Sequence, residues 1–465
     1  MKTFLDWSSY EDAGMGDAYA DIPKAGGNFA KAVAVCINSK ACESHNDKGV
    51  MCPSYRVTSE SNLSTGGRVR LLKAALNGEL GDQPFSDPVL GRAMDLCVSC
   101  KGCKRECENA VDMALIKVEY LAQLNEQDGL SLRTRLFAHT PIWLHRWPWL
   151  RRLVAWRNKS KTLAKLGEML LGIAASRQLP MPAARAFQAP AARPDVLVFG
   201  STPAQEPQPK TAAVLETASV PAREVVLWVD TFSRHFEPDI ADAALAVLHA
   251  AGYQVIIAEP RQTGRPLCCG RTYLAQGMVA QAQAEAQRTV EALLPHVEAG
   301  RPIIGLEPSC LLTLRDEYKV LGLGEAATTV AGQAFLFEEF IAREQTAKNL
   351  HLRLKSLDRH IMVHGHCHQK AVGAMKSMRK VLKLIPGLDF ELIEASCCGM
   401  AGSFGLEAEH AAISWEMARQ SLLPKLNQSP DSVVLSNGFS CRQQIVEGDG
   451  RRSLHLAQLF RDALD

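Results

Sequence analysis

Cys97, Cys100, Cys103 and Cys107 follow one another as C-x2-C-x2-C-x3-C. A chain turning every three residues carries three sulfurs to neighbouring corners of a small inorganic cube, and the fourth sulfur serves a different centre. The chemistry of such a run is the holding of iron and sulfide and the passage of single electrons. Upstream, Cys36 and Cys42 precede Cys52-Pro53. A proline ordinarily follows the fourth thiolate of the run. Here Glu108 follows Cys107, and the proline stands after Cys52. The spacing therefore assigns Cys52, Cys97, Cys100 and Cys103 to one [4Fe–4S] cluster. Cys36, Cys42 and Cys107 remain as three thiolates. A second cluster completed by a non-cysteine ligand such as His45, a three-iron cluster and no cluster all stay open for them. Zinc is the competing occupant of the four-thiolate set, but zinc favours two separated C-x2-C pairs. A cube ligated by four thiolates has no open position for substrate, so this region is expected to conduct electrons.

The other seven cysteines form a repeat. Leu267-Cys268-Cys269-Gly270 recurs as Ser396-Cys397-Cys398-Gly399. A further cysteine follows each pair, in Glu307-Pro308-Ser309-Cys310 and in Gly438-Phe439-Ser440-Cys441. A strand end precedes each pair, at Val229-Asp230-Thr231-Phe232 and at Val363-His364-Gly365-His366-Cys367-His368. Parallel sheets gather ligands at the carboxyl ends of their strands, so each triplet is expected around one pocket. The second copy offers Cys367, Cys397, Cys398 and Cys441 for metal, with His364, His366 and His368 as candidates for substrate binding or proton transfer. The first copy offers Cys268, Cys269 and Cys310 for metal, with Asp230 or Glu307 nearby. The plain alternative is that these thiols are buried packing residues.

The motifs around these cysteines are specific. Cys268-Cys269-Gly270 and Cys397-Cys398-Gly399 resemble the paired cysteine-rich CCG domains. Those occur in the heterodisulfide reductase catalytic subunit, the glycolate oxidase iron–sulfur subunit and the anaerobic glycerol-3-phosphate dehydrogenase iron–sulfur subunit. Met51-Cys52-Pro53-Ser54-Tyr55-Arg56-Val57-Thr58, Ser64-Thr65-Gly66-Gly67-Arg68, Glu307-Pro308-Ser309-Cys310, His364-Gly365-His366-Cys367-His368-Gln369-Lys370 and Cys397-Cys398-Gly399-Met400-Ala401-Gly402-Ser403-Phe404-Gly405 are similar to the iron–sulfur half of FAD-linked D-2-hydroxyacid oxidases. That group is similar to D-lactate and D-2-hydroxyglutarate dehydrogenases. The resemblance implies an electron-transfer subunit of an oxidoreductase acting on 2-hydroxy acids. FAD would sit on a partner flavoprotein chain, and electrons would pass through the 4Fe-4S cluster or clusters to a quinone or similar acceptor. The alternative is a heterodisulfide or thiol reductase-type catalytic subunit. Against it, each CCG motif of that enzyme ends in C-x2-C, whereas Glu307 and Gly438 stand at the first position here.

The elements that must position these residues follow from periodicity. The N-terminal part predicts helices over 66–80, 88–96 and 111–124. The first repeat predicts strands over 225–229, 255–258 and 302–306 with helices over 239–251 and 274–297. The second predicts strands over 361–363, 390–393 and 433–435 with helices over 371–384 and 407–423. The fold class is thus α + α/β. An N-terminal α-helical ferredoxin domain over 25–130 is followed by two repeated α/β CCG domains over 224–345 and 358–465. Between them lie a basic, Trp-rich helical connector over 131–187 and a Pro-rich linker over 188–223. The stretch 131–165 holds nine Lys and Arg, no acid, and Trp143, Trp147, Trp149 and Trp156. Packing between the domains is the favoured reading, because Pro141 and Pro148 interrupt a continuous amphipathic helix. Contact with an anionic membrane is the alternative. Gly322-Leu323-Gly324 brushes a dinucleotide pattern but reads as a turn, since no strand precedes it.

The chain has 465 residues with 14 Cys and a net charge of +2. Its length allows two or three domains, and its balance excludes a global attraction to nucleic acid. No leader and no long apolar run is read. A cytoplasmic protein is expected, with a peripheral position on the inner face of the membrane left open.

Overall fold

The computed structural model describes the chain apart from residues 15–20, 46–48, 191–195, 199–222 and 263. The N-terminal part is helical. Its elements include Gly27–Ala34, Pro53–Thr58, Thr65–Leu76, Pro88–Asp95, Gly102–Glu106 and Met113–Asp128. Local chemistry sets their ends. Ser64 accepts from Gly67 N and caps Thr65–Leu76, which ends short of residue 80 because Asn77 and left-handed Gly78 close it. Asp87 caps Pro88–Asp95 by accepting from the amides of Val89 and Leu90, with Pro88 at the first helical position. Asp112 caps Met113–Asp128 through Leu115 N. The buried Glu119 of that helix accepts from Phe4 N, Leu5 N and Trp7 Nε1, which fastens the first residues of the chain to the bundle.

Two parallel sheets follow. The first comprises β1 (Val196–Val198), β2 (Arg223–Trp228), β3 (Tyr253–Ile257), β4 (Ile303–Gly305) and β5 (Ala334–Leu336), in the order β1-β3-β2-β4-β5. The second comprises β6 (His360–Val363), β7 (Asp389–Leu392), β8 (Val433–Leu435) and β9 (Ser453–Leu454), in the order β7-β6-β8-β9. The block β3-β2-β4 of one is matched by β7-β6-β8 of the other. Register follows suit: Leu227 pairs with Ile257 and Trp228 with Gly305, as Val363 pairs with Leu392 and Leu435. β1 lies inside the stretch expected as a Pro-rich linker; most of the remainder of that stretch lies outside the described residues.

Three expected helices are broken. The helix over 274–297 is split into Arg271–Leu274 and Val279–Glu298 at left-handed Gly277, where a β-carbon would meet Leu121 C at 2.6 Å. The helix over 371–384 is split at Gly373, and that over 407–423 passes through a π-turn at Ala418–Leu422. Gly324 opens a helix rather than sitting in a turn, but only the short turn Glu317–Val320 precedes it, so no dinucleotide unit forms.

The repeats face each other. Helix Pro238–Ala250 packs on helix Leu456–Asp462 around Ile240, Ala244, Leu459 and Phe460. Buried polar links cross the same boundary: His455 Nε2 donates to Leu306 O at 3.1 Å, and Glu307 accepts from Phe439 N at 2.7 Å. A second continuous core joins the helical part to the first repeat through Leu115, Tyr120, Tyr273, Leu274 and Met278. Truncating any one of these to Ala would cost about 2–5 kcal/mol.

Candidate metal centre

Helix Pro88–Asp95 delivers the chain to Cys97, and Lys117 Nζ holds the turn by donating to Cys97 O at 2.7 Å. Ser99 and Lys101 both adopt left-handed backbone, φ 49° and 61°. Such residues cost roughly 1–2 kcal/mol each outside glycine, and here they turn the loop so that Cys97, Cys100 and Cys103 face one side. Lys101 is also buried, its Nζ 2.6 Å from Asp316 and 2.7 Å from Glu317. Gly102 is required: a β-carbon there would meet Met51 N at 2.6 Å. That close approach brings in Cys52. Its segment is held by Glu106, which accepts from Val50 N and Met51 N at 2.7 and 3.0 Å, and by Arg56, which donates to Gly49 O and Met51 O.

Cys52, Cys97, Cys100 and Cys103 line a single pocket, together with Thr65, Arg68, Val98 and Met113. Burial pushes the Cys52 thiol up to about 11, against the pull of the Arg68 guanidinium. It raises Cys100 and Cys103 well above the usual thiol range. Four sulfurs facing one space, with Thr65 N donating to Cys52 Sγ at 3.1 Å, are a donor set that fits a [4Fe–4S] cube.

The charges of Cys107 and Cys42 bear on Cys36, whose thiol burial pushes up. These three thus gather as a second set. Gly66 N donates to Cys42 Sγ at 3.2 Å. Consecutive amides at the start of helix Thr65–Leu76 therefore serve the two sets, one each. The sequence marks this only by the N-cap Ser64 ahead of Thr65-Gly66-Gly67. His45 is exposed, with its ring 5.2 Å from Tyr55.

In the second repeat, one ligand atom from each of His364, Cys398 and Cys441 lies within 4.8 Å of the other two, all buried. Hydrogen bonds link Cys397 to Cys367 and to Cys398. Cys398 is held well below the usual thiol range, first by its bond from Cys397, then by those from Cys441 and His364. His364 Nδ1 is buried without a hydrogen-bond partner. The other two histidines do different work. His366 Nδ1 accepts from His368 N, and His368 Nε2 donates to Ser99 O at 3.0 Å. Lys370, which the sequence marks only as part of a motif, is half-buried beside all four thiols and donates to Ser396 O at 3.1 Å. Gly438 has no room for a side chain, because a β-carbon would collide with His366 Cδ2. The imidazole fills the place of the missing cysteine.

The first repeat brings Cys268, Cys269 and Cys310 together, but their surroundings are acidic. Hydrogen bonding to Cys269 and then burial hold Cys268 well above the usual range, and burial pushes Cys310 up to about 12. Asp230 and Glu307 lie alongside, the latter pushed up to about 7 by burial. Thr231 occupies the side where the second repeat has Cys367, and hydrogen-bonds Cys268.

The sites adjoin. The charge of Cys367 bears on Cys100, and helix Cys367–Val372 packs on helix Gly102–Glu106. Ser396 Oγ donates to Val50 O at 3.4 Å, the carbonyl that Cys100 Sγ also reaches at 3.5 Å.

Comparison with known proteins agrees with this architecture. A 4Fe-4S dicluster domain matches residues 32–111, and a cysteine-rich domain matches twice, over 231–315 and 361–445. D-2-hydroxyglutarate dehydrogenase of Pseudomonas putida is 26% identical over 455 residues, covering 90% of this chain and 42% of its own length. The Escherichia coli enzyme of that name is 23% identical over 470 residues with the same coverage. One subunit of the anaerobic glycerol-3-phosphate dehydrogenase of Escherichia coli is 26% identical over 243 residues, 52% of this chain and 59% of its own. The chain spans about two fifths of the length of the D-2-hydroxyglutarate dehydrogenases it matches.

Proposed function

We propose that this chain, which joins a 4Fe-4S dicluster domain to two cysteine-rich domains, is the electron-transferring part of an FAD-linked D-2-hydroxyacid dehydrogenase. Cys52, Cys97, Cys100 and Cys103 hold one [4Fe–4S] cluster, and Cys36, Cys42 and Cys107 hold a second. When bound, the clusters accept and release electrons singly, as flavin oxidation requires of a relay. Cys367, Cys397, Cys398 and Cys441, with His364, hold a further metal centre in the second repeat. The thiols of Cys268, Cys269 and Cys310, set among acids, serve packing. The flavin resides on a partner polypeptide, and the acceptor is a quinone or similar carrier.

The observation that carries this reading is the contact between the four-thiol cavity and the second repeat. His368 braces the loop of Cys97 and Cys100, and Ser396 and Cys100 share one carbonyl. Direct packing of this kind keeps two redox sites close and shields them from water. The chain's own residues then tune both sites: the amides of Thr65 and Gly66 donate to sulfur, and Lys370 sets a positive charge beside the second repeat's thiols.

Surface chemistry supports a location for the acceptor. In helices Leu150–Lys159 and Lys161–Leu171, Trp156, Met169 and Leu170 are more than half exposed, as is Trp149 just before them. Arg151, Arg152, Lys159, Lys161 and Lys165 are exposed or half-buried among them. Trp149 and Trp156 stand uncovered, and helix Leu150–Lys159 buries no residue, while Ala138, Ile173 and Phe187 of the same connector are buried. An apolar and basic face suits an anionic membrane surface, where quinones dissolve. Among the described residues no helix is long and apolar enough to cross a membrane.

The test is anaerobic co-expression with a candidate FAD-binding oxidase. A complex whose cluster EPR signal grows on adding D-2-hydroxyglutarate or D-lactate, and a lone chain that does not respond, are expected. A chain that reduces a heterodisulfide unaided would favour the reductase alternative.

A further inference from the structure

The two thiol loops of the helical part are copies of each other, and one of them lacks a sulfur. Cys97-x2-Cys100-x2-Cys103 is matched by Cys36-x2-Ser39-x2-Cys42. The match extends to the backbone. Ser99 and Lys101, flanking Cys100, have φ 49° and 61°; Asn38 and Lys40, flanking Ser39, have φ 57° and 59°. Each loop leaves a helix, Pro88–Asp95 or Gly27–Ala34, and enters another turn, Gly102–Glu106 or Ala41–Glu43. Left-handed residues are uncommon away from glycine, so two flanking pairs in the same register define the same turn. Ser39 therefore occupies the structural place of Cys100. It differs in exposure: Cys100 is buried, whereas Ser39 faces solvent. His45, the other non-cysteine candidate, rests on Tyr55 in the exposed segment beyond Cys42.

We propose that the second cluster is held by the thiolates of Cys36, Cys42 and Cys107 with Ser39 at the fourth corner, so that one iron has no thiolate and opens to solvent. This rests on the cluster reading above. Its consequence is chemical. Ferricyanide removes one electron from the cluster, raising the core from [4Fe–4S]2+ to [4Fe–4S]3+. The iron lacking a thiolate then leaves as Fe2+, breaking its bonds to sulfide, and a [3Fe–4S]+ core stays on the three cysteines. The first cluster, enclosed by four thiolates, keeps its iron.

The experiment oxidises anaerobically purified chain with ferricyanide and follows EPR together with Fe2+ release into a chelator. Wild-type protein is expected to carry about eight irons, to release about one, and to gain a three-iron signal. Ser39→Cys, at an exposed position, is expected to abolish both the release and the signal; His45→Ala is expected to change neither. A wild-type chain that yields no three-iron signal, or a Ser39→Cys chain that keeps it, overturns the proposal. So does a chain with about four irons whether residue 39 is Ser or Cys, which would leave the first cluster standing. A chain with no iron at all would instead remove the cluster reading itself.

Discussion

His368 Nε2 donates to Ser99 O across 3.0 Å, from the helix that begins at Cys367 to the loop between Cys97 and Cys100. One imidazole thereby fixes a turn of the four-thiol cavity from the second repeat. Its Nδ1 is buried without a partner, so this bond is the ring's one hydrogen bond, beside its edge-on contact with His366 at 5.0 Å. Replacement of His368 by Phe keeps the bulk and removes the donor. We expect the reduction potential of the first cluster to shift while its iron content is retained, measured by EPR-monitored titration. An unchanged potential would mean that the contact is packing alone.

The buried cation beside that loop is a stability test. Lys101 is paired with Asp316 and Glu317. Lys101→Met would leave Glu317 buried with only Arg271 to balance it. A loss of about 3–5 kcal/mol is expected, read as a lowered urea midpoint, and adding Glu317→Gln should return part of it. Equal midpoints for wild type and single variant would contradict the buried-pair account.

His410 makes stability depend on pH. Burial alone would lower its pKa, but the bonds it donates to Asp95 and Glu407 win and raise it to about 9. Its contribution is therefore whole below the unfolded value of about 6.5 and fades as pH climbs through about 9, amounting to roughly 3 kcal/mol. The thermal midpoint should fall between those pH values in wild type, and fall less in His410→Gln. Parallel curves would refute the assignment.

Much of this was legible in the amino-acid order, and the exceptions have physical causes. Pro53 after Cys52 identified the residue that joins Cys97, Cys100 and Cys103 at one cavity. The doubled Cys-Cys-Gly identified two like sheets. The breaks in three helices were not legible: Gly277 kinks because Leu121 crowds it from a distant helix, which no local pattern records. β5 and β9, of three and two residues, are too short to show a period. The exposure of Trp149 and Trp156 was also hidden, since a Trp among arginines reads equally as covered or open until its neighbours are placed. Lys370 and His364 gain their meaning only when the sheet brings four thiols around them.

The second repeat should bind metal and the first should not. Anaerobic metal analysis of His364→Ala and of Cys398→Ser is expected to show loss of the ion or cluster assigned to that repeat. Cys269→Ser is expected to leave the metal content unchanged. Equal losses from both repeats would show that the acidic surroundings of Cys268 and Cys310 do not decide occupancy.

The exposed face should bind vesicles. Sedimentation with phosphatidylglycerol vesicles should retain the chain at low salt and release it as salt rises, since screening weakens surface charge attraction. Trp149→Ser with Trp156→Ser should abolish retention, and phosphatidylcholine vesicles should not retain the wild type. Retention by the double variant equal to wild type would exclude this face.

The most direct measurement is the EPR spectrum of the anaerobically purified chain after dithionite, alongside its iron and sulfide content and those of Cys100→Ser. A reduced [4Fe–4S] signal is predicted for the first cluster of the wild type, lost in the variant together with about four irons. A colourless wild-type protein, zinc without sulfide, or a spectrum indifferent to Cys100 would contradict it.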